Sequence, residues 1–439
     1  MSSSGQLHKA GLSSQSGHES PLLSLRTPPA VRTDSQPVPA QALLSDLRQA
    51  ALDSSYISLG GRRTASVHEF YRYPARFSPR LARSAIEAFT NPRDLVLDPF
   101  AGGGTTVVEA QNLGRHGIAS DINALATFVT RAKTTLYDEG ALDTLRRFAN
   151  EVHNLPLRAG RALESHWNES GYWFNISDKY SWRIRNLLLN GLRMVSNLES
   201  DGARLLGRCA LLRTGQWALD MRRSIPRVAE FRAQLARDIV SMADVASDHR
   251  ERVLAEWGRA EQPIVIDRGL PASIDHPTVK SAKPPQLILT SPPYPGVYVN
   301  YHRWKVRGRR ETPAPYWIID QIDGHGMSHY TMSARNRDSL RLYFIKLRAA
   351  YEAIVSIMSA GTWLIQIVGF KDGGSDMSDY LALMHDLGLE ELKPPILATA
   401  DDGRLWRVVP GRRWWVMNGS NSQSESQLSR EVVLVHRKR

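Results

Sequence analysis

One stretch constrains this chain more than any other: Asp98-Pro99-Phe100-Ala101-Gly102-Gly103-Gly104-Thr105-Thr106, set between the apolar run Leu95-Val96-Leu97-Asp98 and a helical pattern from Val107 to Leu113. Glycines carry no Cβ, so the backbone there can reverse sharply and come close to a ligand. Strand, tight turn and helix together open a βαβ unit, and parallel strands of that kind need a sheet covered by helices on both faces. Two phosphate-binding readings fail on detail. The phosphate-cradling loop requires a Gly-Lys-Ser/Thr ending, and no lysine stands here. The dinucleotide fingerprint requires a third glycine at a fixed offset, where this chain has Val107. What remains is a turn for a nucleoside ligand without a pyrophosphate. The next run, Ile118-Ala119-Ser120-Asp121, ends in an acidic residue able to accept hydrogen bonds from both ribose hydroxyls.

Further strand-like runs at Ile264-Val265-Ile266-Asp267, Leu287-Ile288-Leu289-Thr290, Trp363 to Val368 and Val432 to Val435 complete a set suited to a doubly wound α/β sheet. Between about 135 and 260 the texture changes to Leu, Arg, Ala and Glu at helical spacing, which predicts a helical insertion. Residues 1 to 45, rich in Ser, Pro and Gln, predict a disordered tail. The sheet domain is therefore expected over 46–134 and 261–439, with a mobile Ser-rich loop at Ser420 to Ser429. The 56 Lys and Arg against 44 Asp and Glu give a net charge of +12 and favour a polyanionic partner. A single cysteine, Cys209, excludes an internal disulfide or a thiolate-rich metal site, and 13 histidines without metal-ligand spacing imply no metal. No apolar stretch of about 18 residues or signal peptide is read, so a soluble cytoplasmic protein is expected.

A second motif stands at the end of the 287–290 run: Ser291-Pro292-Pro293-Tyr294. Two prolines fix φ and remove two backbone donors, leaving a stiff segment expected to present its carbonyls outward. Together with the serine hydroxyl these can accept both N–H bonds of an amino group and so direct the nitrogen lone pair at an electrophile. Tyr294 would stack on a base extruded from its duplex, since chemistry on a base requires such extrusion.

Both motifs resemble those of the DNA amino-methyltransferases, whose first cofactor motif has the form Asp-Pro-Phe-x-Gly-x-Gly-Thr-Thr and whose catalytic motif can read Ser-Pro-Pro-Tyr. The resemblance covers about 68–125 and 260–305 and implies a Rossmann-like class I methyltransferase fold, a doubly wound mixed sheet, with S-adenosylmethionine as cofactor. It implies cofactor contacts from Asp98, Phe100, Gly102, Gly104, Thr105 and Asp121. Pro74 and Phe77 match the family's extra cofactor motif, although the same segment also reads as a plain helix start at Pro79. Asp267 is a further cofactor candidate. The catalytic set is Ser291, Pro292, Pro293 and Tyr294. In the family, serine at the first position usually accompanies cytosine N4 and Asp or Asn adenine N6, so direct methylation of cytosine N4 is the expected reaction. Adenine N6, an RNA amino group, and a nucleic-acid-binding protein without turnover are the alternatives. Carbon methylation needs a placed thiolate, which the helical context of Cys209 does not offer.

After the tetrapeptide, Tyr298 to Arg310 interleaves basic and aromatic residues. Arg303, Lys305, Arg307, Arg309 and Arg310 are expected to neutralise phosphates while neighbouring rings stack on bases; a solvated basic loop is the plainer reading. Arg412-Arg413-Trp414-Trp415 is a second such cluster. The insertion, with Arg204, Arg208, Arg213, Arg222, Arg223 and Arg227, either reads the target or caps the sheet. The expected partners are double-stranded DNA, with the nucleoid as location, and a restriction endonuclease of the same site.

Overall fold

The computed structural model describes residues 39–53, 66–74, 76–158, 165–258, 264–267, 283–295, 303–308, 310–322, 332, 337–370, 376–413 and 428–439. The first elements are helices α1 (Gln41–Leu52) and α2 (Pro79–Phe89). Helix α1 begins inside the stretch expected to be a tail, because Leu44 and Leu47 bury against the α2 side of the sheet. Proline at the first position of α2 removes a donor that has no helical partner there.

The sheet then starts with β1 (Leu95–Asp98), α3 (Thr105–Asn112), β2 (His116–Ser120) and α4 (Ala124–Thr134). Helices α5 (Glu139–Glu151), α6 (Ser165–Glu169), α7 (Trp182–Ser196), α8 (Asp201–Leu219) and α9 (Val228–Trp257) follow before β3 (Ile264–Asp267) and β4 (Leu287–Thr290). Asp138 and Ser200 cap α5 and α8 by accepting from Ala141 N and Ala203 N, which satisfies donors left open at helix starts. A hairpin of β5 (Trp304–Val306) and β6 (Arg310–Thr312) leads to α10 (Ala314–Ile319). The chain ends with α11 (Arg337–Ser356), β7 (Trp363–Gly369), α12 (Asp376–Asp386), β8 (Leu389–Leu392), β9 (Leu405–Arg413) and β10 (Leu428–Lys438).

The sheet order is β3-β2-β1-β4-β7-β10, with β8 and β9 both pairing β10. The first five strands are parallel and β10 is antiparallel to β7. This is a doubly wound mixed sheet. Side chains alternate between its faces as the pleat requires: Val96, Leu287, Leu289, Ile365 and Ile367 lie under α1 and α2, while Leu97, Ile288, Leu364 and Val368 lie under α11 and α12. The final strand reaches further than its apolar centre predicted. Leu428 and Ser429, expected in a Ser-rich loop, pair with β9; residues 420–427 lie outside the described residues.

A third core joins α4, α5, α7, α8 and α9. Trp304, Val306 and the α10 residues Ala314, Tyr316, Trp317, Ile318 and Ile319, expected with the sheet domain, belong to it too. The reason is local: Gly215 on α8 leaves room for the Trp304 ring, and a Cβ there would stand 2.8 Å from it. Among the described residues no helix is long and apolar enough to cross a membrane.

Candidate active site at the switch point of the sheet

From β1 the chain winds outward through β2 to β3, then returns to the other side of β1 as β4 and continues to β7. The direction of winding therefore reverses between β1 and β4, where the two following loops separate and leave a crevice at the carboxyl ends of the strands. The glycine turn follows β1 and Ser291-Pro292-Pro293-Tyr294 follows β4, which is paired to it through Val96 and Leu97. Both sequence motifs thus border one crevice.

Asp98 ties the two loops together. Its carboxylate accepts the Thr290 hydroxyl at 2.7 Å, the Thr106 hydroxyl at 2.7 Å and the Phe100 amide at 3.2 Å. With 1% of its surface exposed, it stands behind the turn as a joint. Burial pushes its carboxyl up to about 6 against those three donors. Thr106 also donates to Leu289 O. Phe100 is half-buried, and buried Thr105 opens α3.

The turn itself needs its glycines. Gly102 and Gly104 have φ of +51° and +76°, in the left-handed region. A Cβ on Gly104 would stand 2.6 Å from Thr130 Oγ1, and one on Gly103 2.9 Å from Tyr73 Cβ. Helix α4 braces the turn from behind: Thr130 donates to Gly102 O and Lys133 to Gly103 O, at 3.3 and 2.7 Å. Burial, with the charge of Arg76 adding to it, brings the Lys133 ammonium down to about 7.

Asp121 follows β2 and is half-buried. One oxygen accepts Gly102 N at 2.8 Å and the other Asn123 N at 2.8 Å. Burial pushes this carboxyl up to about 6, opposed by those amides. Each carboxylate oxygen has a second lone pair, so the group retains acceptors for a diol. Asp267 ends β3 level with Ser120, one residue short of Asp121.

The stretch around Pro74 covers the turn by a residue that sequence reasoning passed over. Tyr73 packs its ring on Gly102 and Gly103, and its hydroxyl accepts from Asn123 Nδ2 at 3.2 Å. Pro74 beside it is half-buried, while Phe77 is buried with Leu81 and Leu289 in the core beneath α2. The helical unit holds this cover down: Arg213 donates to Glu69 O, Gln216 to Arg72 O and Trp304 Nε1 to Tyr71 Oη, at 2.8, 3.1 and 3.0 Å.

At the second loop the Ser291 hydroxyl lies 3.0 Å from Ile367 O and 3.2 Å from Tyr294 Oη. Tyr294 is half-buried and donates to Glu431 at 2.8 Å, a fully buried carboxylate that Arg407 clasps through two nitrogens at 2.9 and 2.6 Å. Glu431 and Arg407 carry no local sequence motif. The carbonyls expected to point outward do not all do so, because Pro293 O accepts the Tyr343 hydroxyl at 2.7 Å. Pro292 is buried.

The basic segment also differs from expectation. Trp304 is 2% exposed and bonded to Tyr71, so its ring is not available to a base. Arg307 and Arg310 are exposed, Arg303 and Lys305 half-buried, and 296–302 and Arg309 lie outside the described residues, as do Trp414 and Trp415. Within the insertion Arg208 is committed to Ile318 O and Arg213 to Glu69 O and Asp238. Cys209 is buried, which pushes its thiol up to about 12.

Residues 51–127, which contain α2, the glycine turn and Asp121, match the family model described as DNA methylase. Over this segment the chain resembles the DNA amino-methyltransferases. It is 31% identical over 166 residues to the type II methyltransferase M.BsoBI of Geobacillus stearothermophilus, covering 33% of this chain and 32% of that one. It is 33% identical over 76 residues to M.MjaII of Methanocaldococcus jannaschii, covering 17% and 14%, and 52% identical over 44 residues to M1.MboII of Moraxella bovis, covering 10% and 17%. These matches therefore span no more than about a third of the relatives' own lengths. S-adenosylmethionine is the methyl donor that this resemblance implies. The residues present fit it: a turn with left-handed glycines borders the crevice, and a carboxylate with spare acceptors closes the next strand.

Proposed function

We propose that this chain is a site-specific DNA methyltransferase acting on the exocyclic N4 of cytosine. The observation that carries the reading is the meeting of the glycine turn and Ser291-Pro292-Pro293-Tyr294 on adjacent strands at the switch point, held together through Asp98. When bound, S-adenosylmethionine supplies an electrophilic methyl group. Gly102, Gly104 and Asp121 would hold it, with Tyr73 covering the turn.

Ser291 has one proton, directed at Ile367 O or Tyr294, and a lone pair on its oxygen can accept an N–H of the target amino group. That bond draws the nitrogen out of conjugation and orients its lone pair. Tyr294 offers its ring to the extruded base while Glu431 fixes its hydroxyl. The buried, protonated Cys209 is unsuited to covalent attack on a ring carbon. Exposed Arg307 and Arg310 would meet phosphates. Serine at the first catalytic position favours cytosine over adenine. A restriction endonuclease of the same site is the partner enzyme this reading implies.

The test is nucleoside mass spectrometry of DNA from cells expressing the full chain. N4-methylcytosine is expected, and Ser291→Ala should lower it about a hundredfold, the usual scale for losing one positioned polar group at a reacting centre. N6-methyladenine alone would overturn the choice of base; unmodified DNA would overturn the activity.

A further inference from the structure

The connection between α6 and α7 carries an exposed surface that neither motif accounts for. Phe174 is 66% exposed and Tyr180 48% exposed, large rings left in water next to the buried Tyr172 and Trp173. Lys179 and Arg183 are exposed beside them. The turn of the β5–β6 hairpin reaches this loop. Arg307 lies over the Tyr180 ring at 4.2 Å, Arg310 stands 3.9 Å from Asp178, and Asn175 Nδ2 donates to Glu311 O at 2.8 Å. Asp178, the carboxylate among these cations, is turned inward to the amides of Tyr180 and Ser181, at 3.0 and 2.8 Å. The outward face therefore pairs aromatic rings with positive charge.

Backbone strain marks the same place. Arg307 has φ of +52°, in the left-handed region where a residue with a side chain pays about 1–2 kcal/mol, although Gly308 follows it at +81°. The opposite end of the hairpin is fixed: Trp304 is buried and bonded to Tyr71, two residues from the Tyr73 ring that covers the glycine turn. A surface on this hairpin thus shares an anchor with the cofactor turn.

We propose that the 171–181 loop and the hairpin turn together form the surface that recognises the target duplex, with Phe174 and Tyr180 contacting bases or sugars and Lys179, Arg183 and Arg307 contacting phosphates. This rests on the reading of the chain as a DNA methyltransferase and adds where the duplex docks. Rings stack on nucleic-acid groups regardless of sequence, while cations at their edge set register on the backbone.

The test uses the full-length protein, a short DNA duplex, an RNA stem-loop and isotopically labelled S-adenosylmethionine. Phe174→Ala combined with Tyr180→Ala should weaken duplex binding about tenfold or more and lower methylation in step with it, with cofactor binding unchanged. Arg307→Gly should relieve the strained backbone and leave thermal stability equal or higher, yet reduce the salt dependence of duplex binding by about one unit of slope. Variants that bind and methylate like the wild type overturn this surface and leave the methyltransferase reading intact. A wild-type chain that binds no duplex, or prefers the RNA, overturns both.

Discussion

Asp98 and Asp121 stand at the ends of neighbouring strands, yet their carboxylates have different work. Asp98 is filled by two threonine hydroxyls and an amide, one of those threonines 192 residues away in sequence. Asp121 accepts two amides and keeps acceptors for a ligand. Burial raises both groups to about 6, so the native state holds protons that an unfolded aspartate has already released. Their contribution to stability is full below the ordinary aspartate range and is lost as pH rises through about 6; the unfolding free energy measured in urea across that window should fall accordingly. Affinity for S-adenosylmethionine should move the opposite way, rising as Asp121 ionises through about pH 6 and then levelling. Equilibrium dialysis should show Asp121→Asn weaker by at least about tenfold, the scale of one charged hydrogen bond, and flat with pH. Gly104→Ala places a Cβ against Thr130 at a φ of +76°, so it should cost about 1–2 kcal/mol from φ alone, and trimming Thr130 should not fully restore it. The motif made these residues visible in the sequence. The distinction between a filled carboxylate and one with spare acceptors was not visible, because Thr290 supplies it from a distant strand.

At the scale of elements, the hairpin is where sequence pattern and structure diverge most. Its alternation of basic and aromatic residues reads as a nucleic-acid loop, but alternate side chains of a strand point to opposite faces. Trp304 and Val306 therefore enter the helical core while Lys305 stays half-buried and Arg307 reaches solvent. Trp304→Ala should destabilise the protein by about 3–5 kcal/mol in denaturant unfolding, as expected for a buried indole. Trp304→Phe keeps most of the packing and loses only the bond to Tyr71, so it should cost less. Strands 95–98, 287–290 and the core of β7 were legible because each is a continuous apolar run largely buried in the sheet, and 264–267 because its run is apolar up to a closing aspartate. Strands β8 and β9 were not, since they pair only along β10 at the sheet edge and mix polar with apolar residues.

For the whole molecule, the sheet fixes the crevice and the helical unit fixes its cover. Contacts from Arg213, Gln216 and Trp304 to the 69–72 backbone and Tyr71 hold that segment, itself part of the helical core, beside the glycine turn. A chain with net charge +12 should also bind duplex DNA with strong salt dependence. Measured by fluorescence anisotropy between 50 and 200 mM salt, affinity should fall by about a thousandfold if some six phosphates are contacted. The sequence by itself determined the chemistry on offer: the glycine turn needs its missing Cβ atoms, the Ser-Pro-Pro-Tyr segment its missing amides, and both are local properties of the chain. It also determined the parallel strands, through their apolar runs. Only the tertiary structure decided which groups meet. It brought β4 beside β1, gave Asp98 to Thr290, turned Tyr294 toward Glu431 and sank Trp304 beneath Tyr71, because each of those pairs is assembled from distant segments by burial and hydrogen-bond satisfaction that no local pattern encodes.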